Sequence, residues 1–165
     1  MQIVGHEIMH GFDMKGIGYT TRGAVKYPKH PSSVADYTKK VLCLRSSYEE
    51  VEKERQFPGL DPKTDSEGFA DWTGVQLAYG AFRSLPPAER DATVPGLSLD
   101  AEKLFFIAQC YKSCGSETKR SKGGNYWATR SRCVVPLRHM PEFARAFSCP
   151  KGSKMNPATR CSFFE

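Results

Sequence analysis

The chain lacks any apolar run approaching the ~20 residues needed to cross a bilayer, so no membrane contact is expected from this segment. Its first residues, Met1-Gln2-Ile3-Val4-Gly5-His6, lack the basic and apolar regions of a signal peptide. Paired C-x-x-C knuckles are missing too, which argues against a zinc ribbon. There is no internal repeat and no sign of a second domain.

What is present suits one domain of ordinary size: 165 residues, 39% hydrophobic and 25% charged. The net charge of +6 comes from scattered residues. The densest basic cluster, Lys119, Arg120 and Lys122, is broken by serine and glycine. A solvated basic face accounts for it, and no nucleic-acid partner is expected. The six cysteines, Cys43, Cys110, Cys114, Cys133, Cys149 and Cys161, fit disulfides and an oxidising compartment. Disulfides without an export signal raise the expectation that the sequence is partial.

The periodicity predicts a mainly α fold with few extended segments. Ile3, Val4, Ile8, Met9 and Phe12 recur at helical spacing from Gln2 to about Lys15, with Gly16 as a stop. Residues 16–31 read as a loop. A second helix starts near Ser32 or Ser33, and its stripe is Val34, Tyr37, Val41, Leu44, Tyr48 and Val51. It exits through a charged run to Pro58-Gly59. A third runs from about Ser66 to Ser84, with Phe69, Val75, Leu77, Tyr79 and Phe82 as its apolar surface and Pro86-Pro87 as its stop. Asp100 caps a short helix whose core candidates are Leu104, Phe105, Ile107 and Ala108. Residues 115–125 read as a mobile loop, 126–137 as extended, and Pro141 to Phe147 as one or two helical turns. The tail from Cys149 is irregular and needs tethering.

His6-Glu7-Ile8-Met9-His10 is H-E-x-x-H. Residues four apart on a helix share a face, so both imidazoles can reach one zinc ion. Glu7 stands beside the first ligand, where a base takes a proton from water. Chance alone would produce the pattern in roughly one chain of this length in a couple of hundred. Here the helix is apolar around the histidines, and polar groups on a buried face need a partner. A catalytic zinc site has three protein ligands. The spacing offers no third histidine of the H-E-x-x-H-x-x-G-x-x-H kind. Glu67 is the best candidate, opening the third helix with Asp71 four residues on. A plain N-terminal helix carboxylate, favoured by the helix dipole, explains Glu67 equally well at this point. Asp71 and Asp13 are candidates to accept the outward N–H of the ligand imidazoles.

These residues resemble the neprilysin and endothelin-converting-enzyme peptidases. His6-Glu7-x-x-His10-Gly11-Phe12-Asp13-x-x-Gly16 resembles their H-E-x-x-H-G-F-D-x-x-G. Glu67-Gly68-Phe69-Ala70-Asp71 resembles their E-N-I-A-D. Leu104-Phe105-Phe106, Cys114-Gly115, Pro141-Glu142-Phe143, Ala146-Phe147 and Cys149-Pro150-x-Gly152-Ser153-x-Met155-Asn156-Pro157-x-x-x-Cys161 follow in family order.

The resemblance implies the C-terminal helical part of a thermolysin-like (gluzincin) catalytic domain, spanning residues 1–165, with the upstream part absent. It implies one Zn2+ held by His6, His10 and Glu67, with Glu7 as the base that activates water. Asp71 matches a family aspartate described as a proton donor; orientation of a ligand histidine is the physical role favoured here. Arg132 matches the arginine that hydrogen-bonds the substrate carbonyl. Tyr126 stands where the family has an oxyanion-donating histidine, and its phenol brings no charge. Gly68 replaces the family Asn and is expected to loosen its helix by up to ~1 kcal/mol. Trp72-Thr73 replaces Asn-Gly. The implied partners are a peptide substrate and the upstream lobe of the same polypeptide, and the implied location is extracellular. The implied disulfide is Cys43–Cys161. Cys114 and Cys149 match cysteines whose partners lie upstream. Cys110 and Cys133 are outside the family pattern and are candidates to pair with each other. The competing reading is a truncated or non-catalytic relative that binds zinc or a peptide.

Overall fold

A computed structural model describes residues 2–25, 31–53, 60–114 and 124–163. The chain runs through α1 (Gln2–Met9), α2 (Pro31–Glu52), α3 (Thr64–Arg83), α4 (Pro87–Arg90), α5 (Ala101–Tyr111), α6 (Thr129–Arg138) and α7 (Pro141–Ala146). No strand forms among the described residues, where the extended pairing is an isolated antiparallel bridge between Tyr19 and Val25. The Pro58-Gly59 stop and most of the glycine-rich loop (115–123) lie outside the described residues.

α1 is shorter than its apolar pattern suggests, and it is turned the other way. Its buried face is Gln2, Gly5, His6 and Met9. Ile3, Val4, Ile8 and Phe12 are all exposed. The expectation that apolar neighbours bury the motif histidines is therefore corrected: His6 is buried at the crossing with α3, and His10 is half-buried. Gly5 meets Gly74 where the two helices cross. A Cβ on Gly74 would lie 2.8 Å from the His6 backbone nitrogen, and one on Gly5 would lie 3.1 Å from the Gly74 carbonyl oxygen. Only glycines allow the backbones this close, and the close approach rather than an apolar stripe fixes the orientation of α1.

α3 is the central helix. Phe69, Ala70, Trp72, Val75, Ala78 and Tyr79 are buried along it, whereas Leu77 faces outward. Its first turn is secured from Asp61, which accepts from the Lys63 N–H (3.0 Å) and the Thr64 hydroxyl (2.7 Å). α2 packs Val41, Leu44 and Tyr48 inward, while Val34 at its start is exposed. Arg45 on α2 makes a buried ion pair with Asp65 on α3, Nε donating to Oδ1 at 2.9 Å. The Tyr48 ring stacks on Trp127 with centroids 4.8 Å apart. This stack sits over Gly68, where a Cβ would come within 2.9 Å of the Tyr48 ring and 3.0 Å of Trp127. Gly68 therefore makes room for an aromatic pair, which offsets its weak helix propensity.

Residues 129–138 are helical, not extended. Local propensity favours neither state strongly, and packing decides. As α6 they bury Ser131, Val135, Pro136 and Leu137. Cys133 is bonded to Cys110 of α5. Asp100 caps α5 as expected, accepting from the Lys103 N–H at 2.7 Å. The buried residues of α5 are Phe106 and Gln109, however, and Ile107 and Ala108 face out. Phe106 belongs to a second core with Val75, Tyr79, Leu137 and Met140. The irregular tail is tethered by the Cys43–Cys161 disulfide, Cα–Cα 5.8 Å. It is also tethered by the Cys161 N–H, which donates to His139 Nδ1 at 2.9 Å. Cys114 and Cys149 are unpaired.

Candidate metal centre

The α1–α3 crossing brings together residues far apart in the chain. His6 lies on α1 and His10 one turn on, just past its end, with its N–H reaching back to the His6 carbonyl at 3.3 Å, and Glu67 and Asp71 lie one turn apart on α3. His6 Nε2 is 3.1 Å from His10 Nε2 and 3.2 Å from Glu67 Oε2, and His10 Nε2 is 3.8 Å from that oxygen. Ligand atoms of a tetrahedral zinc site, each ~2.0–2.1 Å from the ion, stand about 3.3 Å apart. His6, His10 and Glu67 form a group able to hold a metal ion by geometry and donor chemistry.

The hydrogen bonds behind the rings decide their tautomers. His6 Nδ1 donates to Asp71 Oδ1 at 3.0 Å, and His10 Nδ1 donates to Asp13 Oδ2 at 2.7 Å. With each Nδ1 carrying the proton, a neutral ring turns its Nε2 lone pair toward the shared space. Two lone pairs and a carboxylate oxygen then face one another. Glu67 Oε2 is buried, and no N–H is aligned to it. Such an arrangement calls for a cation. The charges agree. Burial opposes protonation of His6, but the bond to Asp71 and the nearby Asp71 and Glu67 carboxylates outweigh it and raise its pKa to about 9. A buried site that pulls this hard on a proton is one with surplus negative charge.

Asp71 is the hub. It is almost wholly buried and is clasped by Arg132, Nε donating to Oδ2 at 2.5 Å and Nη2 to Oδ1 at 3.0 Å. Burial works against its charge, yet the bonds from His6 and Arg132 hold its carboxyl below the ordinary range. Asp13 is braced differently: its Oδ1 accepts the backbone N–H groups of Lys15 (2.7 Å) and Gly16 (2.8 Å). Both carboxylates are thus fixed before any metal arrives.

The structure brings six of the seven sequence-derived site residues into one linked arrangement: His6, His10, Glu67, Asp71, Arg132 and Tyr126. The last of these lies over the guanidinium of Arg132, 4.6 Å from Cζ to the ring centroid. Glu7 follows His6 on α1 but is exposed, on the outward side with Ile3, Val4 and Ile8.

The sequence matches Peptidase family M13 over residues 2–163. The chain belongs to peptidase family M13. It is 32% identical to "Neprilysin-2" of Drosophila melanogaster across 96% of its own length and 21% of that protein's. It is 33% identical to "Neprilysin-1" of Trittame loki across 96% of its length and 24% of that protein's. The chain thus spans about a fifth to a quarter of the curated M13 relatives it matches. A chain of the "Haemonchus galactose containing glycoprotein complex" superposes with a TM-score of 0.75 at 23% identity, covering 95% of this chain and 28% of that one. This likeness shows the shared helical fold.

Two residues beside the cluster escaped sequence reasoning. Gln2 precedes His6 by one turn on the same buried ridge, and Lys112, just past the end of α5, donates from Nζ to its side-chain oxygen. Counting back four residues from His6 flags Gln2. Nothing local flags Lys112, which arrives through the packing of α5.

Proposed function

We propose that this chain carries the zinc centre of a metalloendopeptidase that hydrolyses peptide bonds outside the cell. The observation that supports it most is the convergence of His6 Nε2, His10 Nε2 and Glu67 Oε2, with the two imidazoles backed by the buried carboxylates of Asp71 and Asp13. His6, His10 and Glu67 hold one Zn2+. When bound, zinc polarises a peptide carbonyl and acidifies water. Glu7 accepts the proton of the attacking water and passes it to the departing amine. Its exposed position on α1, with no polar partner among the described residues, leaves its carboxylate free for that exchange. Asp71 fixes the ring of His6 and Asp13 that of His10. Arg132, held on Asp71, directs its remaining N–H groups toward a substrate carbonyl. Tyr126 reinforces Arg132 from the open side. The two disulfides support an oxidising, extracellular setting, and no described helix is long and apolar enough to cross a membrane.

A second reading, zinc or peptide binding without turnover, is favoured for the 165-residue chain by itself. Glu7 and the apolar residues around it are exposed, so nothing among the described residues encloses a substrate there. Positioning and exclusion of water supply much of an enzyme's rate. In the whole protein, the upstream lobe of the same polypeptide provides both.

The test pairs zinc content with fluorogenic-peptide hydrolysis on the purified chain. About one zinc per chain is expected, lost in His6→Ala and kept in Glu7→Gln, beside very low turnover. A folded, zinc-free chain after zinc loading sinks the proposal. Robust chelator-sensitive cleavage removes the second reading.

A further inference from the structure

Lys112 brings a cation to the metal centre. It follows the last turn of α5, and its ammonium is held by the side-chain oxygen of Gln2. Gln2 and His6 are successive members of one ridge of α1, so the ammonium is anchored one turn from His6. Gln2 is 7% exposed, and its Nε2 is buried without a hydrogen-bond partner. An amide fixed in this way holds Lys112 with its oxygen but cannot neutralise it. No carboxylate pairs with Lys112 among the described residues. The side chain itself is exposed.

Partial burial of the Lys112 ammonium lowers its pKa, with smaller opposing influences from the charges of Asp71 and Arg132. Asp71 is fully engaged by His6 and Arg132 and has no capacity for a third cation. The edge of the centre therefore carries an ammonium that no described carboxylate pairs, on a neutral buried anchor. A long flexible cation held at its head by a neutral acceptor is already ordered for a better one. A carboxylate supplies charge as well as a hydrogen bond.

We propose that Lys112, seated on Gln2, is a specificity-determining residue that selects peptides with an acidic side chain beside the bond to be cut. This rests on the peptidase reading of the same site and adds the substrate class to it. The glutamate or aspartate carboxylate of the peptide takes the ammonium. Gln2 keeps the lysine oriented toward the metal centre.

Binding measurements test this without turnover. Fluorescein-labelled hexapeptides are made in matched sets, with Glu, Gln, Leu or Lys on one side of the central bond and then on the other. Their affinities for the zinc-treated chain are read by anisotropy. The wild type is expected to prefer Glu over Gln by roughly tenfold on one side only, the advantage shrinking as salt rises. Lys112→Met should bring the ratio to about one, and Lys112→Glu should turn the preference to Lys. Gln2→Leu should weaken the preference while leaving it in the same direction. Circular dichroism and zinc content are followed for each variant. Equal binding of Glu and Gln peptides by the wild type, a ratio unmoved in folded Lys112→Met, or no binding of any peptide overturns the proposal. Loss of zinc binding instead, with the peptide preference intact, strikes the metallopeptidase reading and leaves the acidic selectivity standing.

Discussion

The ring of Tyr126 covers the guanidinium of Arg132, with Cζ 4.6 Å from the ring centroid, while the edge of that guanidinium grips Asp71 through two hydrogen bonds. One arginine thus presents a face to an aromatic and a fork to a carboxylate. The arrangement gives Tyr126 work that does not depend on its hydroxyl. Tyr126→Phe should preserve the stack. Tyr126→Ala should cost about 0.5–1 kcal/mol in urea unfolding, the range for a partly exposed cation–π contact. Identical unfolding midpoints for wild type and Tyr126→Ala would mean that the stack is idle. Tyr126→His should raise peptide turnover little, because enclosure of the substrate is unchanged.

Asp71 orients His6 from behind, so it should be felt in zinc affinity. Asp71→Asn is expected to weaken zinc binding by roughly 10–100-fold, the usual consequence of losing a carboxylate behind a ligand histidine. Competition against a chromophoric chelator reads this directly. The same substitution weakens the hold on the half-buried Arg132 charge, so stability should fall as well. An affinity within twofold of wild type would leave Asp71 with the ion pair alone.

Gly68 is a position where the better helix former should do harm. Gly68→Ala gains up to ~1 kcal/mol in helix propensity. It also pushes a methyl against Tyr48 and Trp127 at 2.9 and 3.0 Å. Overpacking of this kind typically costs ~1–3 kcal/mol. A lower thermal midpoint is expected for Gly68→Ala, and lower still for Gly68→Asn. A higher midpoint in either variant would show that the aromatic pair yields without penalty.

His139 makes stability depend on pH. Its Nδ1 accepts from the Cys161 N–H, which leaves the proton on Nε2, within 2.8 Å of the Ser47 hydroxyl oxygen. Burial, joined by the charges of Arg138 and Arg160, lowers its pKa to about 4. In the unfolded chain the value returns to about 6.5. The unfolded state therefore binds more protons between these values. The stabilisation is complete above about pH 6.5, shrinks as pH falls, and is gone below about pH 4. The span corresponds to roughly 3 kcal/mol. Urea midpoints of wild type and His139→Phe, compared from pH 7.5 to pH 4.5, should converge on acidification. Parallel curves would exclude the histidine as the source.

Much of this was legible in the sequence, and for a definable reason. H-E-x-x-H needs only one helix turn to be read. The Asp100 cap is equally local. Glu67 with Asp71 stays open on local grounds and stands out only through the resemblance to the neprilysin peptidases. What escaped depends on contacts between distant segments. The outward turn of Ile3, Val4 and Ile8 follows from the meeting of Gly5 and Gly74, which no stripe of apolar residues announces. The helical state of 129–138 is imposed by burial of Val135 and Leu137 and by the Cys110–Cys133 link. Lys112 reaches Gln2 across 110 residues of chain. Gly68 was misjudged by propensity because its partners, Tyr48 and Trp127, come from two other segments.

The glycine crossing has a consequence for how such a centre changes over time. Where two helices touch backbone to backbone, their spacing is set by main-chain atoms, and almost every side chain is excused from maintaining it. Ile3, Val4 and Ile8 on one helix, and Leu77 on the other, can be exchanged while the donor atoms keep their mutual positions. A chain built this way can vary its outward apolar residues at small risk to the cluster. The risk is concentrated instead at Gly5 and Gly74, where adding a single carbon would pry the two halves of the centre apart.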